Sequence, residues 1–189
     1  MKIKDVTGCT IYGPAGEAEK IPGIDVKLTE GDTVEFGEAT ARVLDVPGHT
    51  LGHIAYHFAD QNVAFVGDAL FALGCGRVFE GTMDMMWASL SKLKALPPET
   101  LVYCAHEYTQ ANARFAETIE TGNADLAAYI QDIDARRAKG QPTVPTRLEK
   151  ELATNPFLRA DVPELQAAMG HPGDAAATFA EIRSRKDSF

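Results

Sequence analysis

Three times along this chain a short apolar run of strand character ends in a turn that carries a His or an Asp. Ala41–Val46 leads into Pro47-Gly48-His49-Thr50-Leu51-Gly52-His53. Asn62–Val66 leads into Gly67-Asp68, and Leu101–Cys104 into Ala105-His106-Glu107. A side chain in such a turn is held by rigid elements yet reaches outward, which is what a metal ligand needs. Taken singly, each residue has a plainer reading. His49 and His106 are then surface histidines, and Asp68 is a helix cap or turn residue. Imidazole nitrogen and carboxylate oxygen together suit a borderline divalent cation, so zinc, iron and manganese all remain open. Spacing alone leaves the metal reading and the plain one side by side.

The other histidines and the thiols fill in the surroundings. His53, four residues after His49, is read as orienting His49 or its turn rather than as a ligand, because Pro47-Gly48 argues against a helix there. His57 is read as a solvent-facing strand residue and His171, before Pro172, as structural. Cys104 is read as inert core. Cys75, between Gly74 and Gly76, is read as the more exposed thiol, with no base in sight to make it a nucleophile.

A chain of 189 residues is one domain, or one domain with an appendage, and 45% apolar residues suffice for a real core. A net charge of −9 disfavours a nucleic-acid or anionic-membrane surface, while leaving room for a local basic cluster that binds a small anion. The longest apolar runs, such as Val63–Val66 and Ala69–Leu73, fall far short of a membrane span. Met1-Lys2-Ile3-Lys4-Asp5 lacks the apolar core of a secretory signal. Three cysteines, without Cys-x-x-Cys spacing, suggest reduced thiols and a cytoplasmic location.

Strand signals dominate as far as residue 108. Thr10–Tyr12 is expected to stop at Gly13-Pro14, followed by Asp25–Leu28, a hairpin of Thr33–Phe36 with Ala39–Val46, and a second pair, Ile54–Phe58 with Asn62–Val66. Asp84 is expected to cap a helix over Met85–Leu96 that Pro97-Pro98 stops. From Thr109 the texture turns helical, with helices over Thr109–Thr121, Asp125–Lys139, Arg147–Ala153 and Ala175–Arg185. Thr146-Arg147-Leu148-Glu149 has capping-box form, Gly140 sits at a C-cap, and prolines including Pro156, Pro163 and Pro172 cut the tail into short pieces. The expected class is α/β, with residues 1–108 forming the β-rich part and 109–189 a small all-α domain.

Read together, the segments Pro47-Gly48-His49-Thr50-x-Gly52-His53, Gly67-Asp68-x-Leu70-Phe71, Gly74-Cys75-Gly76-Arg77-x-Phe79-Glu80-Gly81-Thr82 and Ala105-His106-Glu107-Tyr108-Thr109 resemble glyoxalase II. This is the hydroxyacylglutathione hydrolase branch of the metallo-β-lactamase superfamily. The likeness continues through Asn155-Pro156-Phe157-Leu158-Arg159 and the closing Arg183-x-x-Lys186-Asp187. It implies a partial αββα sandwich followed by a helical substrate-binding domain. It also implies a pair of divalent metals, with His49 on the first, His106 on the second and Asp68 bridging, and no catalytic residue apart from these ligands. Arg77, Tyr108, Arg183 and Lys186 match positions that hold glutathione. The implied reaction is hydrolysis of S-D-lactoylglutathione to D-lactate and glutathione by a metal-bridged hydroxide, in methylglyoxal detoxification.

The family's Thr-His-x-His-x-Asp-His segment, worth four further ligands, has no counterpart among these residues. The chain by itself is therefore expected to be inactive and to associate with itself through an exposed sheet. Two alternatives accompany this reading: another superfamily hydrolase or sulfur dioxygenase relative, and a non-catalytic remnant that binds glutathione or a partner.

Overall fold

Side-chain alternation decides how the strands stack. The computed structural model describes residues 2–189. A short helix α1 (Lys2–Thr7) precedes β1 (Tyr12–Pro14) and β2 (Val26–Leu28), which pair in parallel. Strand β1 thus includes the Gly13-Pro14 that was expected to end it. An edge position tolerates a proline without a ladder donor.

Next come β3 (Thr33–Phe36) and β4 (Ala39–Asp45), turned by Gly37-Glu38 with Gly37 at φ +63°. Then follow β5 (Ile54–Phe58) and β6 (Val63–Gly67), turned through Asn62 at φ +52°. A two-residue pair, β7 (Leu70–Phe71) and β8 (Gly74–Cys75), leads to α2 (Met83–Lys94) and β9 (Leu101–Cys104). The remainder is α3 (Thr109–Ile119), α4 (Ala124–Ala138), β10 (Thr146–Arg147), α5 (Leu148–Thr154), α6 (Pro163–Met169) and α7 (Ala175–Ser188).

The central sheet has six strands in the order β10-β9-β6-β5-β4-β3. All its pairings are antiparallel except β6 with β9. Strands β4, β6 and β9 therefore run the same way and end on the same side of the sheet. One face, with Leu44, Ala55, Ala64, Val66 and Val102, packs on Met86, Leu90 and Leu93 of α2. The same cluster takes in Phe115, Phe157, Phe179 and Ile182 from the helical part, so one core runs beneath both regions. Phe157 stacks at 5.9 Å on Phe115 and meets Phe179 edge-on at 6.1 Å.

On the opposite face the register sets Tyr56, Phe65 and Tyr103 in one row across β5, β6 and β9. Phe65 stacks on Tyr103 at 5.0 Å, meets Phe58 edge-on at 5.9 Å, and remains 46% exposed. Tyr56 and Tyr103 beside it are half-buried.

Several local expectations need correction. Thr82, not Asp84, caps α2, its hydroxyl accepting from the Met85 N–H at 3.1 Å. No capping box opens α5. The Thr146 side chain turns inward to Glu151 (2.7 Å), and Thr146 itself pairs with Val102 in β10. Pro163 begins a helix rather than breaking one, because proline at the first helical position gives up only a donor that would have no partner. His57 alternates onto the helix-covered face, between Arg42 and Ala64, and its Nε2 is buried.

A buried carboxylate ties the helical part to the β7–β8 turn. Glu151 is wholly buried and accepts from the backbone N–H of Leu73 (2.7 Å), Asn155 Nδ2 (3.0 Å), the Thr146 hydroxyl (2.7 Å) and the Tyr129 hydroxyl (3.4 Å). Leu73 sits at φ +55°, a strained position for a branched residue that this bond helps hold. Burial raises the Glu151 carboxyl, opposed by its donors.

Candidate metal and substrate site

The co-directional strands β4, β6 and β9 each deliver one donor at their C-terminal ends, the side of an open α/β sheet where ligands bind. His49 lies in the loop after β4. Its imidazole Nδ1 is 2.8 Å from the carbonyl oxygen of Arg77, so an Nδ1–H donates there and Nε2 keeps its lone pair. Nε2 lies 3.8 Å from Asp68 Oδ2, and His106 Nε2 lies 3.2 Å from Asp68 Oδ1. The carboxylate thus sits between two imidazoles and shows one oxygen to each.

Glycines make this approach possible. A Cβ on Gly76 would lie 2.0 Å from the Asp68 carbonyl oxygen, and one on Gly81 would lie 2.7 Å from the Gly48 Cα. The Gly-Cys-Gly-Arg-x-Phe-Glu-Gly-Thr segment therefore lies directly against both ligand turns. Backbone bonds from Phe79 to His49 (3.4 Å) and from Gly81 to Gly48 (3.1 Å) secure it. Gly67, at φ +53°, leaves room for the His53 ring, whose Nε2 accepts from the Asp68 N–H at 3.0 Å. His53 thus holds Asp68, where the sequence reading is that it orients His49 or its turn. Burial lowers its pKa, with the Asp68 carboxylate opposing.

His49, Asp68, Phe71, Gly76, Arg77, Phe79, His106 and Tyr108 line a cavity of about 470 Å³. Tyr108 stacks on His106 at 4.7 Å, Phe79 lies 5.0 Å from His49, and Phe71 meets Tyr108 edge-on at 5.5 Å. Behind His106, Glu107 accepts from the backbone N–H and hydroxyl of Thr143 and from the Thr109 hydroxyl, which fixes the turn.

Arg77 and Tyr108 are thus brought to the metal-type residues. Arg183 and Lys186 do not line this cavity and lie in α7. Arg183 is 4% exposed and lies over the Phe157 ring at 5.2 Å. Its guanidinium donates to Cys75 O (3.1 Å) and Asp187 Oδ1 (3.0 Å). Lys186 donates to Ala111 O at 3.1 Å, between the rings of Phe115 and Phe189. Burial, with Arg183 and Arg114 nearby, brings its pKa down to about 8. Cys75 is buried rather than exposed, because its flanking glycines mark close packing. Burial pushes its thiol up to about 11. Cys104 is half-buried, with Sγ 3.3 Å from His106 O.

The donor set fits a metal pair in part. Two imidazole Nε2 atoms flank one carboxylate, an arrangement suited to a bridged pair, yet no group of three or more donors gathers round a single point among the described residues. The residues missed from sequence are Asp187, Phe71, Phe79 and Glu107. Asp187 carried a signal, as an acid four residues after Arg183 in a basic tail.

Known proteins bear on this geometry. The family profile described as metallo-beta-lactamase superfamily matches residues 3–106, and that described as hydroxyacylglutathione hydrolase C-terminus matches residues 107–189. A hydroxyacylglutathione hydrolase of Hyphomonas neptunium is 68% identical over all of this chain, which spans 74% of that relative. One of Methylococcus capsulatus is 57% identical, again over 100% of this chain and 74% of the relative. Among solved structures, ETHE1 from Myxococcus xanthus superposes with a TM-score of 0.65 at 26% identity, covering 97% of this chain and 60% of its own. The BLEG-1 B3 metallo-beta-lactamase shares the fold, with a TM-score of 0.58 at 21% identity over 83% of this chain and 68% of its own. No helix among the described residues is long and apolar enough to cross a membrane.

Proposed function

The chain belongs to the hydroxyacylglutathione hydrolase family of the metallo-β-lactamase superfamily, and from that premise we propose that its cavity is part of a thioester hydrolase site. The substrate is S-D-lactoylglutathione and the products are D-lactate and glutathione. The observation that carries this reading is the Asp68 carboxylate set between His49 Nε2 at 3.8 Å and His106 Nε2 at 3.2 Å.

In this reading His49, Asp68 and His106 would be this chain's contribution to holding two divalent ions, with Asp68 between the imidazoles. Zinc is the first choice, and iron or manganese would be accepted by the same N/O donors. When bound, such ions supply acidified water and stabilise negative charge developing on the thioester carbonyl oxygen. The chain's own residues do the rest. The Arg77 carbonyl fixes the His49 tautomer, and His53 holds the Asp68 backbone. Phe71, Phe79 and Tyr108 give the cavity its apolar wall. Arg77 faces a glutathione carboxylate with its guanidinium, and Tyr108 offers a hydroxyl beside His106. Arg183 and Lys186 act at one remove, through their charge and their neighbours.

Residues 1–108 are then the metal-bearing region and residues 109–189 the substrate-side region. The match of the C-terminal profile over residues 107–189 supports this hydrolase reading over a sulfur dioxygenase relative. Three unpaired thiols support a reducing, cytoplasmic setting, where glutathione is plentiful.

These residues alone should turn over no thioester, because each ion has one imidazole and a shared carboxylate. The test joins this chain to the portion of the Hyphomonas neptunium relative that it does not match, and follows loss of the thioester of S-D-lactoylglutathione with added zinc. Hydrolysis by the fusion and its loss in D68N support the reading. A folded, metal-loaded fusion that leaves the thioester intact rejects it.

A further inference from the structure

Asp187 lies in the last turn of α7, where a carboxylate opposes the helix dipole. An isolated i,i+4 pair with Arg183 would offset that by only a few tenths of a kcal/mol. The position calls for a further partner, and the structure supplies one. Asp187 Oδ1 accepts from Arg183 at 3.0 Å and also from Arg77 Nε at 3.0 Å, across 110 residues of sequence. Arg183 is itself buried, bonded to the Cys75 carbonyl and packed against Phe157. Among the described residues, no hydrogen bond or ion pair engages the two terminal nitrogens of Arg77, on the cavity wall.

We propose that Asp187 is a positioning residue: anchored by Arg183, its carboxylate pins Arg77 by Nε and leaves the outer guanidinium edge free to take a ligand carboxylate. This rests on the reading of the cavity as a site for a glutathione conjugate. The reasoning is entropic and geometric. Arg77 is an exposed side chain that would otherwise surrender its rotamer freedom on binding, and pinning Nε removes part of that loss in advance. The same residue's carbonyl receives the His49 Nδ1–H at 2.8 Å, so the pin also steadies the segment that fixes that imidazole.

The test uses the chain itself, with glutathione as probe and arginine Nε–H signals read by ¹⁵N NMR. In the wild type the Arg77 Nε–H should be protected from solvent exchange. D187N should lose that protection, and D187E should recover at least part of it. Glutathione affinity should fall roughly tenfold in D187N, the size expected for losing a charge-assisted bond to the binding group. In an R77A background D187N should change affinity less than twofold, because its effect passes through Arg77. E181Q, which removes the separate Glu181–Arg185 pair of α7 (2.8 Å), should stay within twofold of wild type.

An unprotected Arg77 Nε–H in the wild type, or equal protection in D187N, would overturn the proposal. So would an equal loss of affinity on D187N with and without Arg77, which is the mark of a general structural effect. Should D187N fail to fold, D187S decides by the same signal: loss of Arg77 Nε–H protection upholds the proposal, and protection equal to wild type overturns it. Protection that depends on Asp187, without any glutathione binding, upholds the pin and rejects the ligand assigned under the hydrolase reading.

Discussion

Gly76→Ala tests the idea that the glycine-rich segment exists to let its backbone touch the ligand turn. The new Cβ would lie 2.0 Å from the Asp68 carbonyl oxygen, 3.2 Å from its carbon and 3.3 Å from the His49 Cβ. Ordinary contact begins near 3.4 Å, so the two backbones must part by about 1.4 Å. The Asp68 N–H to His53 bond, 3.0 Å long, would then be stretched beyond useful range. Overpacking of this kind costs about 1–3 kcal/mol and the lost bond about 1 kcal/mol. Stiffening of the unfolded chain returns about 0.4–1 kcal/mol. The expected net loss is about 1–3.5 kcal/mol by urea denaturation at neutral pH. Gly140→Ala is the control: it has φ +69° but nothing within 4 Å, so only backbone strain of about 1 kcal/mol applies. A Gly76→Ala protein within about 0.5 kcal/mol of wild type would refute the close approach of the two backbones.

The buried Glu151 makes stability depend on pH in a defined sense. Its folded pKa is raised, so the folded state holds the proton longer. Its favourable contribution is present below the unfolded value and is lost as pH rises through the folded value. The stability of wild type relative to E151Q should therefore fall as pH rises above the ordinary carboxylate range, and a difference that rises with pH would mean that the donors around Glu151 outweigh its burial. Thr82→Ala should destabilise by about 1 kcal/mol in thermal or urea unfolding, while Asp84→Ala should lose no cap; equal effects would contradict the assignment of Thr82. The Phe65 row and the exposed Phe36 on edge strand β3 should drive self-association and bind hydrophobic dye. Phe65→Ser with Phe36→Lys should lower the apparent mass in size-exclusion chromatography, and a wild-type monomer that binds no dye would show that this surface does not drive association.

The sequence makes the hairpins and long helices legible because turn chemistry and apolar period are local signals. Gly37-Glu38 and Ala59–Asn62 mark their turns, and four of the tail helices fall within a few residues of expectation. The ligand turns are legible for the same reason, since each follows an apolar strand. What escaped depends on which face the rest of the molecule covers. The three-residue spacing of Arg183 and Lys186 gives a shared helix face but not the burial of Arg183, which depends on Phe157 and Cys75 packing over it. Gly74 and Gly76 read as exposure of Cys75, whereas they mark contact with Asn112 and Asp68. Strand β10 is two residues long, and its Thr146 signals a cap locally while the buried Glu151, five residues on in α5, claims its hydroxyl.

The central claim is that Asp68 joins two metal positions, each with one imidazole from this chain. Paramagnetic cobalt titrated into the protein, followed by NMR, tests it most directly. Line broadening should centre on His49, Asp68 and His106 and vanish in D68N. After desalting, well under two equivalents should remain, because a firmly held ion usually has at least three protein ligands. Broadening centred elsewhere, or unchanged in D68N, would contradict the claim, as would two ions that survive desalting.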